Sequence, residues 1–150
     1  DRALGNRSIL ADPRKKNMKM RVNATVKYRE KFRPFAPAII DIEGNNYFEN
    51  FQDSRFMEKT LKIKKSFRNK IPAVTHKDGS GRLQTVSKEN IKFYNLIKEF
   101  KNITGIPLVL NTSLNYKGDP MVCSPEDAIK TFYLSGLDEM FIENYKLSKK

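Results

Sequence analysis

Residues 87–111 read SKENIKFYNLIKEFKNITGIPLVLN, and the fold class turns on this stretch. Ser87, followed by Glu89 and Asn90, opens a helix, and Ile91, Tyr94, Ile97 and Phe100 recur at three-residue spacing as its apolar stripe. Phe93, Tyr94 and Phe100 fit that stripe better than a base-stacking platform. Gly105 stands where a helix ends in a left-handed residue. The most apolar run of the chain then follows, and it reads as a buried strand over 107–111. A helix leading directly into a buried strand belongs to a mixed architecture. Working outward, Asp12 and Pro13 precede a helix expected near 15–27, with Met18, Val22 and Val26 four residues apart. Ser124, Pro125 and Asp127 have the N-cap, first-turn proline and third-position acid of a strong helix start, and Gly136 marks its end. Strands are expected at 8–10, 38–42, 73–76, 83–86, 107–111, 121–123 and 140–142. A half-exposed edge strand is expected within 59–70, where Leu61 and Ile63 alternate with Lys62 and Lys64. The pattern predicts an α/β (α+β) domain built on one twisted mixed sheet.

The 150 residues suit one domain, which at this size buries about 70% of its unfolded surface. No apolar run approaches the roughly 20 residues of a membrane span. One cysteine excludes a disulfide framework, and one histidine excludes a self-contained His-rich metal site. No signal-peptide pattern opens the chain, which is expected in the cytoplasm. Its start inside an apparently structured segment suggests a domain of a longer protein. Twenty-nine Lys and Arg against seventeen Asp and Glu give a net charge of +12, which favours polyanionic partners.

Four segments carry polar or basic residues beyond what turns require: 2–8 with Arg14 close behind, 27–37, 75–82 and 111–120. Hydroxyls, amides and glycines in such loops approach phosphate oxygens closely, and arginine forks bind the same oxygens through paired hydrogen bonds. Together they suggest a polyphosphate or nucleotide pocket. Neither G-x-x-x-x-G-K-[ST] nor G-x-G-x-x-G occurs. His76 reads as a satisfied strand-end histidine, Gly79-Ser80-Gly81 as a hairpin turn, and Cys123 as a buried structural thiol between Met121, Val122 and a helix start.

The same segments, RALGNRSILADPR at 2–14, VKYREKFRPFAP at 26–37, IPAVTHKDGSGRLQTV at 71–86 and NTSLNYKGDPMVCSPEDA at 111–128, resemble the C-terminal domain of NodU/CmcH-type O-carbamoyltransferases. The resemblance covers nearly the whole chain in order. It implies a YrdC-like fold, with helices around a twisted mixed sheet and a basic, concave nucleotide site. It implies that ATP and carbamoyl phosphate are bound and joined as carbamoyl-adenylate. An N-terminal transferase domain of the same chain would then pass the carbamoyl group to an acceptor hydroxyl. Carried over by position, Lys27, Arg33 and Arg82 would be the catalytic cations. Arg2, Arg7, Lys27, Arg33, Arg82, Ser113, Asn115 and Lys117 would bind substrate. Lys117 stands where relatives have arginine, which keeps the charge and loses the fork, and Leu114 replaces a common phenylalanine. Mg²⁺ is expected with ATP, and the metal of the transfer step in the N-terminal domain. No protein metal site, membrane partner or nucleic-acid partner is expected. A non-catalytic basic module binding RNA or nucleotide is the alternative.

Overall fold

The computed structural model describes residues 3–28, 30 and 33–149. Five strands form a mixed sheet in the order β1-β5-β2-β4-β3. β1 spans Ser8–Ala11, β2 Ala36–Ile40, β3 Lys59–Lys62, β4 Ser80–Val86 and β5 Leu108–Ser113. β2 and β4 run parallel, and the other three pairings are antiparallel. A separate hairpin joins β6 (Glu139–Ile142) to β7 (Tyr145–Ser148).

Side-chain alternation along a strand divides the sheet into two faces. One carries Ile9, Ile39, Leu83, Leu108 and Leu110, which are packed with Val26, Phe35, Phe48 and Ile63 in the main core. The register places Ala36, Ala38 and Ile40 of β2 on the opposite face, beside Gln84 and Val86 of β4 and Val109 and Asn111 of β5. Helix α4, Ile91–Thr104, covers half of that second face: its Phe93, Tyr94 and Ile97 pack on Ala38, Ile40, Val86 and Val109. The other half of the face holds the polar Arg82, Gln84, Asn111 and Ser113, and among the described residues α4 does not pack over them.

α4 ends as expected, with Gly105 at φ +75° and its N–H donated to Lys101 O. Ile91, read as part of the stripe, is instead half exposed; Phe93 takes the buried place beside Tyr94 and Ile97. Helix α5, Pro125–Leu134, starts with the expected capping box between Ser124 and Asp127. Its Ala128 and Phe132 pack with Val122 and Met140 in a smaller cluster.

Other expectations are corrected. The helix near 15–27 is two pieces: α1, Met18–Val22, and a π-helical turn, Asn23–Lys27, that closes on Tyr28 at φ +44°. β2 stops at Ile40, because the Asp41 carboxylate caps the Ile42 N–H and starts a 3₁₀ turn, Asp41–Glu43, that leads into the short α2, Gly44–Tyr47. The segment 73–76 is not a strand: Val74 N and Thr75 Oγ1 donate to Ile71 O, and Ala73 N donates to Pro13 O, so these groups bond to turns and a distant loop instead of a ladder. The segment 121–123 is not a strand: Val122 N donates to Leu114 O, and its carbonyl accepts from Arg7 Nη1. Cys123 is exposed, not buried. In 59–70 the alternation holds through β3 and Ile63, and the chain then turns into α3, Lys65–Arg68, whose Phe67 stacks on Tyr47.

Candidate active site

The uncovered half of the sheet face is the floor of a cleft of about 520 Å³. All four sequence segments reach it. Ala3 and Leu4 come from the first, Arg33, Pro34, Phe35 and Ala36 from the second, Arg82 from the third, and Asn111, Thr112 and Ser113 from the fourth. Phe56 and Met57 complete the lining. An adjoining cleft of about 630 Å³ shares Leu4 and Phe56 and continues over Gln84, Ser87 and Asn90. These volumes fall within the range of small-molecule sites.

Lys27 does not itself line the cleft but is hydrogen-bonded to Ser113, which does. It is buried, and its Nζ donates to Ser113 O at 2.5 Å, Ser113 Oγ at 3.1 Å, Asn115 Oδ1 at 2.6 Å and Asn115 O at 3.3 Å. Ser113 Oγ in turn donates to Asn115 Oδ1 at 2.7 Å. The π-helical turn explains the placement: its wider winding ends on Lys27 and swings the ammonium under the loop that leaves β5. Tyr28 meets Tyr116 edge to face at 5.7 Å and pins the turn to that loop. Asn115 Nδ2 bonds Asp119 O at 3.0 Å and so fixes the loop from within.

Arg82 sits near the start of β4 and donates from Nε to Met57 O at 2.8 Å. Arg33 is exposed at the cleft wall, 3.8 Å from Glu30. Arg7 is not among the lining residues; its Nη1 donates to Val122 O at 2.8 Å and ties the start of β1 to the segment before α5. Lys117 is exposed on the loop, also away from the lining. Arg2 lies outside the described residues.

Two floor residues are absent from the sequence-derived set. Asn111, 1% exposed, donates from Nδ2 to Ala3 O at 2.8 Å and to Gln84 Oε1 at 2.6 Å, across the small Ala36 and Ala38 of β2. A carbonyl can only accept, so the Ala3 contact fixes the amide's orientation. Asn111 Oδ1 is then a buried acceptor without a partner. The available signal was amide residues at strand positions flanked by apolar ones, in Leu83-Gln84 and Leu110-Asn111.

His76 is at the far end of the third segment. Ser80 Oγ donates to Asp78 Oδ1 at 2.7 Å, so it accepts from His76 Nδ1–H at 3.0 Å. Nε2 is left as a buried lone pair with no partner, and burial pushes the imidazole's pKa down. The Lys62 ammonium and the Ser80 hydroxyl and N–H hold the Asp78 carboxyl far below the usual carboxylate range. This cluster closes the turn and lines neither cleft.

Four segments separated in the sequence thus build one polar, arginine-bearing cleft on a mixed α/β domain. The family described as "Carbamoyltransferase C-terminus" matches residues 1–149, and the chain belongs to it. The chain is 46% identical, over 99% of its length, to nodulation protein NolNO of Sinorhizobium fredii, of which it covers 22%. It is 43% identical, again over 99% of its length, to nodulation protein NolO of Bradyrhizobium diazoefficiens, covering 28%. It is 41% identical, over 78% of its length, to nodulation protein U of Azorhizobium caulinodans, covering 21%. The chain thus spans about a quarter of the length of the curated relatives it matches. Among the described residues, no helix is long and apolar enough to cross a membrane, and no cluster of three or more His, Cys, Asp or Glu could hold a metal ion.

Proposed function

We propose that this domain binds ATP and carbamoyl phosphate in the cleft over Asn111 and Ser113 and makes carbamoyl-adenylate. An N-terminal domain of a longer chain would then transfer the carbamoyl group to an acceptor hydroxyl. The single observation that carries the reading is that each of the four family segments contributes lining to one cleft. Family membership supports carbamoyl chemistry, and the cleft is a space that could take the substrates.

The residue types suit the task. Two polyanions must lie within reacting distance, and cations must offset their repulsion. Arg33 and Arg82 offer guanidinium forks for phosphate oxygens. Lys27 is buried and hydrogen-bonded to Ser113 and Asn115, and a positive charge fixed beside the cleft residue Ser113 would favour an arriving anion. Atom balance requires one water: it releases phosphate from carbamoyl phosphate, and the carbamate oxygen then displaces pyrophosphate from the α-phosphorus of ATP. Positioning and charge stabilisation do most of this work, and no protein nucleophile is required. Mg²⁺ would arrive with ATP. The described lining of this cleft has no carboxylate, so phosphate oxygens and water would be its ligands there. The orphaned Asn111 Oδ1 suits a ligand that brings an N–H donor, as the carbamoyl amide does.

Calorimetric titration with ATP and Mg²⁺, followed by assay of pyrophosphate release with carbamoyl phosphate, tests the reading. Arg82→Ala and Arg33→Ala are each expected to lower ATP affinity by about 1.5 kcal/mol or more, the worth of a hydrogen bond to a charged group. Absence of nucleotide binding in the full-length protein would end it.

A further inference from the structure

The loop between α2 and β3 holds an exposed aromatic ring at the seam of the two clefts. Phe56 is 72% exposed and lines both. A lone exposed apolar side chain needs no explanation in itself. This one is different because the backbone that carries it is tightly held. Ser54 is fully buried. Its N–H donates to Thr85 Oγ1 at 3.0 Å, its hydroxyl donates to Leu83 O at 2.9 Å, and its carbonyl accepts from Thr85 N at 2.9 Å. Phe56 N donates to Glu58 Oε2 at 2.9 Å. Met57 adopts a left-handed conformation at φ +60°, unfavourable for a non-glycine residue, and its carbonyl accepts from Arg82 Nε. The same short loop therefore fixes a guanidinium in the cleft and stands a flat apolar ring beside it. Strain of this kind concentrates where a ligand is gripped.

We propose that Phe56 is the platform on which the nucleobase of the nucleotide stacks, with its phosphates toward Arg82 and Arg33. The inference rests on the nucleotide reading above and adds the base-binding half of the site. Every base has a π face, so the platform holds purines without selecting among them.

The test compares ATP with tripolyphosphate, which has the anionic chain but no base, each with Mg²⁺, in the full-length protein. Phe56→Leu is expected to lose about tenfold in ATP affinity and to keep its tripolyphosphate affinity, as removal of one base–aromatic stack would do. Phe56→Trp is expected to keep ATP affinity. These 150 residues contain no tryptophan, so after subtraction of the unsubstituted protein's signal the new indole reports on this position. Its emission should be quenched by ATP and not by tripolyphosphate. Wild-type ATP affinity in the Leu variant, or indole emission indifferent to ATP, overturns the platform and leaves the nucleotide reading standing. Equal loss of both ligands in the Leu variant also overturns it, by assigning Phe56 to holding the loop. An unsubstituted protein that binds neither ligand overturns the nucleotide reading and the platform with it.

Discussion

At the scale of single residues, His76 shows how local hydrogen bonding sets a pH dependence. Its Nδ1–H is committed to Ser80, and Nε2 is buried without an acceptor, so protonation would bury an N–H with nowhere to donate. Burial accordingly lowers the folded-state pKa below the ordinary value of about 6.5. Above that value the ring is neutral in both states, and the His76 contribution to stability is fully present. As pH falls below about 6.5 the unfolded chain takes up a proton that the folded chain resists, and the contribution is lost until the folded pKa is reached. Urea unfolding between pH 7.5 and pH 5.5 should show this decline, and His76→Asn, which keeps a donor at the Nδ1 position, should flatten it. Asn111 gives a second residue-scale expectation. Asn111→Ala strands Gln84 Oε1 and Ala3 O and should lower stability by about 2 kcal/mol, read as a shift in urea midpoint at constant slope.

At the scale of elements, both long helices depend on their ends. Gly105 has φ +75° and open space where a Cβ would stand, so Gly105→Ala meets only backbone strain and should cost about 1 kcal/mol. Ser124→Ala removes the hydroxyl that accepts from Asp127 N and should cost a similar amount, about 1 kcal/mol. Thermal or urea unfolding of the two variants measures both. These ends were legible because capping is written in adjacent residues. β3 was legible for the same reason, since its lysines alternate with apolar residues over a short run. The segments 73–76 and 121–123 misled because apolar composition alone does not provide a partner strand, and strand pairing is decided far along the chain. The cleft divides the same way. Arg33 and Arg82 come from family segments readable in the sequence, whereas Asn111 and Gln84 meet across β2 through strand register. Phe56 acquires its position from a buried Ser54 bonded to a strand some thirty residues away. Contacts of that range leave no local pattern to read.

At the scale of the whole molecule, the net charge of +12 has to be reconciled with a proposed small-molecule site. Much of the excess is lysine on exposed positions such as Lys15, Lys16, Lys77, Lys88, Lys98 and Lys117, distributed along the chain. Such a surface attracts any polyanion at low salt through release of counterions, with an affinity for single strands whose log falls by about 0.7 per phosphate neutralised for each log unit of salt. ATP held in the cleft responds less, because charges partly buried under a bound ligand are screened less than exposed ones. Filter binding of single-stranded RNA between 50 and 200 mM salt should therefore show weak binding that collapses across the range, while calorimetric ATP affinity changes by a smaller factor. ATP with Mg²⁺, added at constant ionic strength, should leave the residual RNA binding unchanged, because the lysines that attract RNA lie outside the cleft. RNA held at 200 mM salt and displaced by ATP would instead make the cleft a nucleic-acid interface, and the carbamoyl-adenylate reading would then lose the site on which it depends.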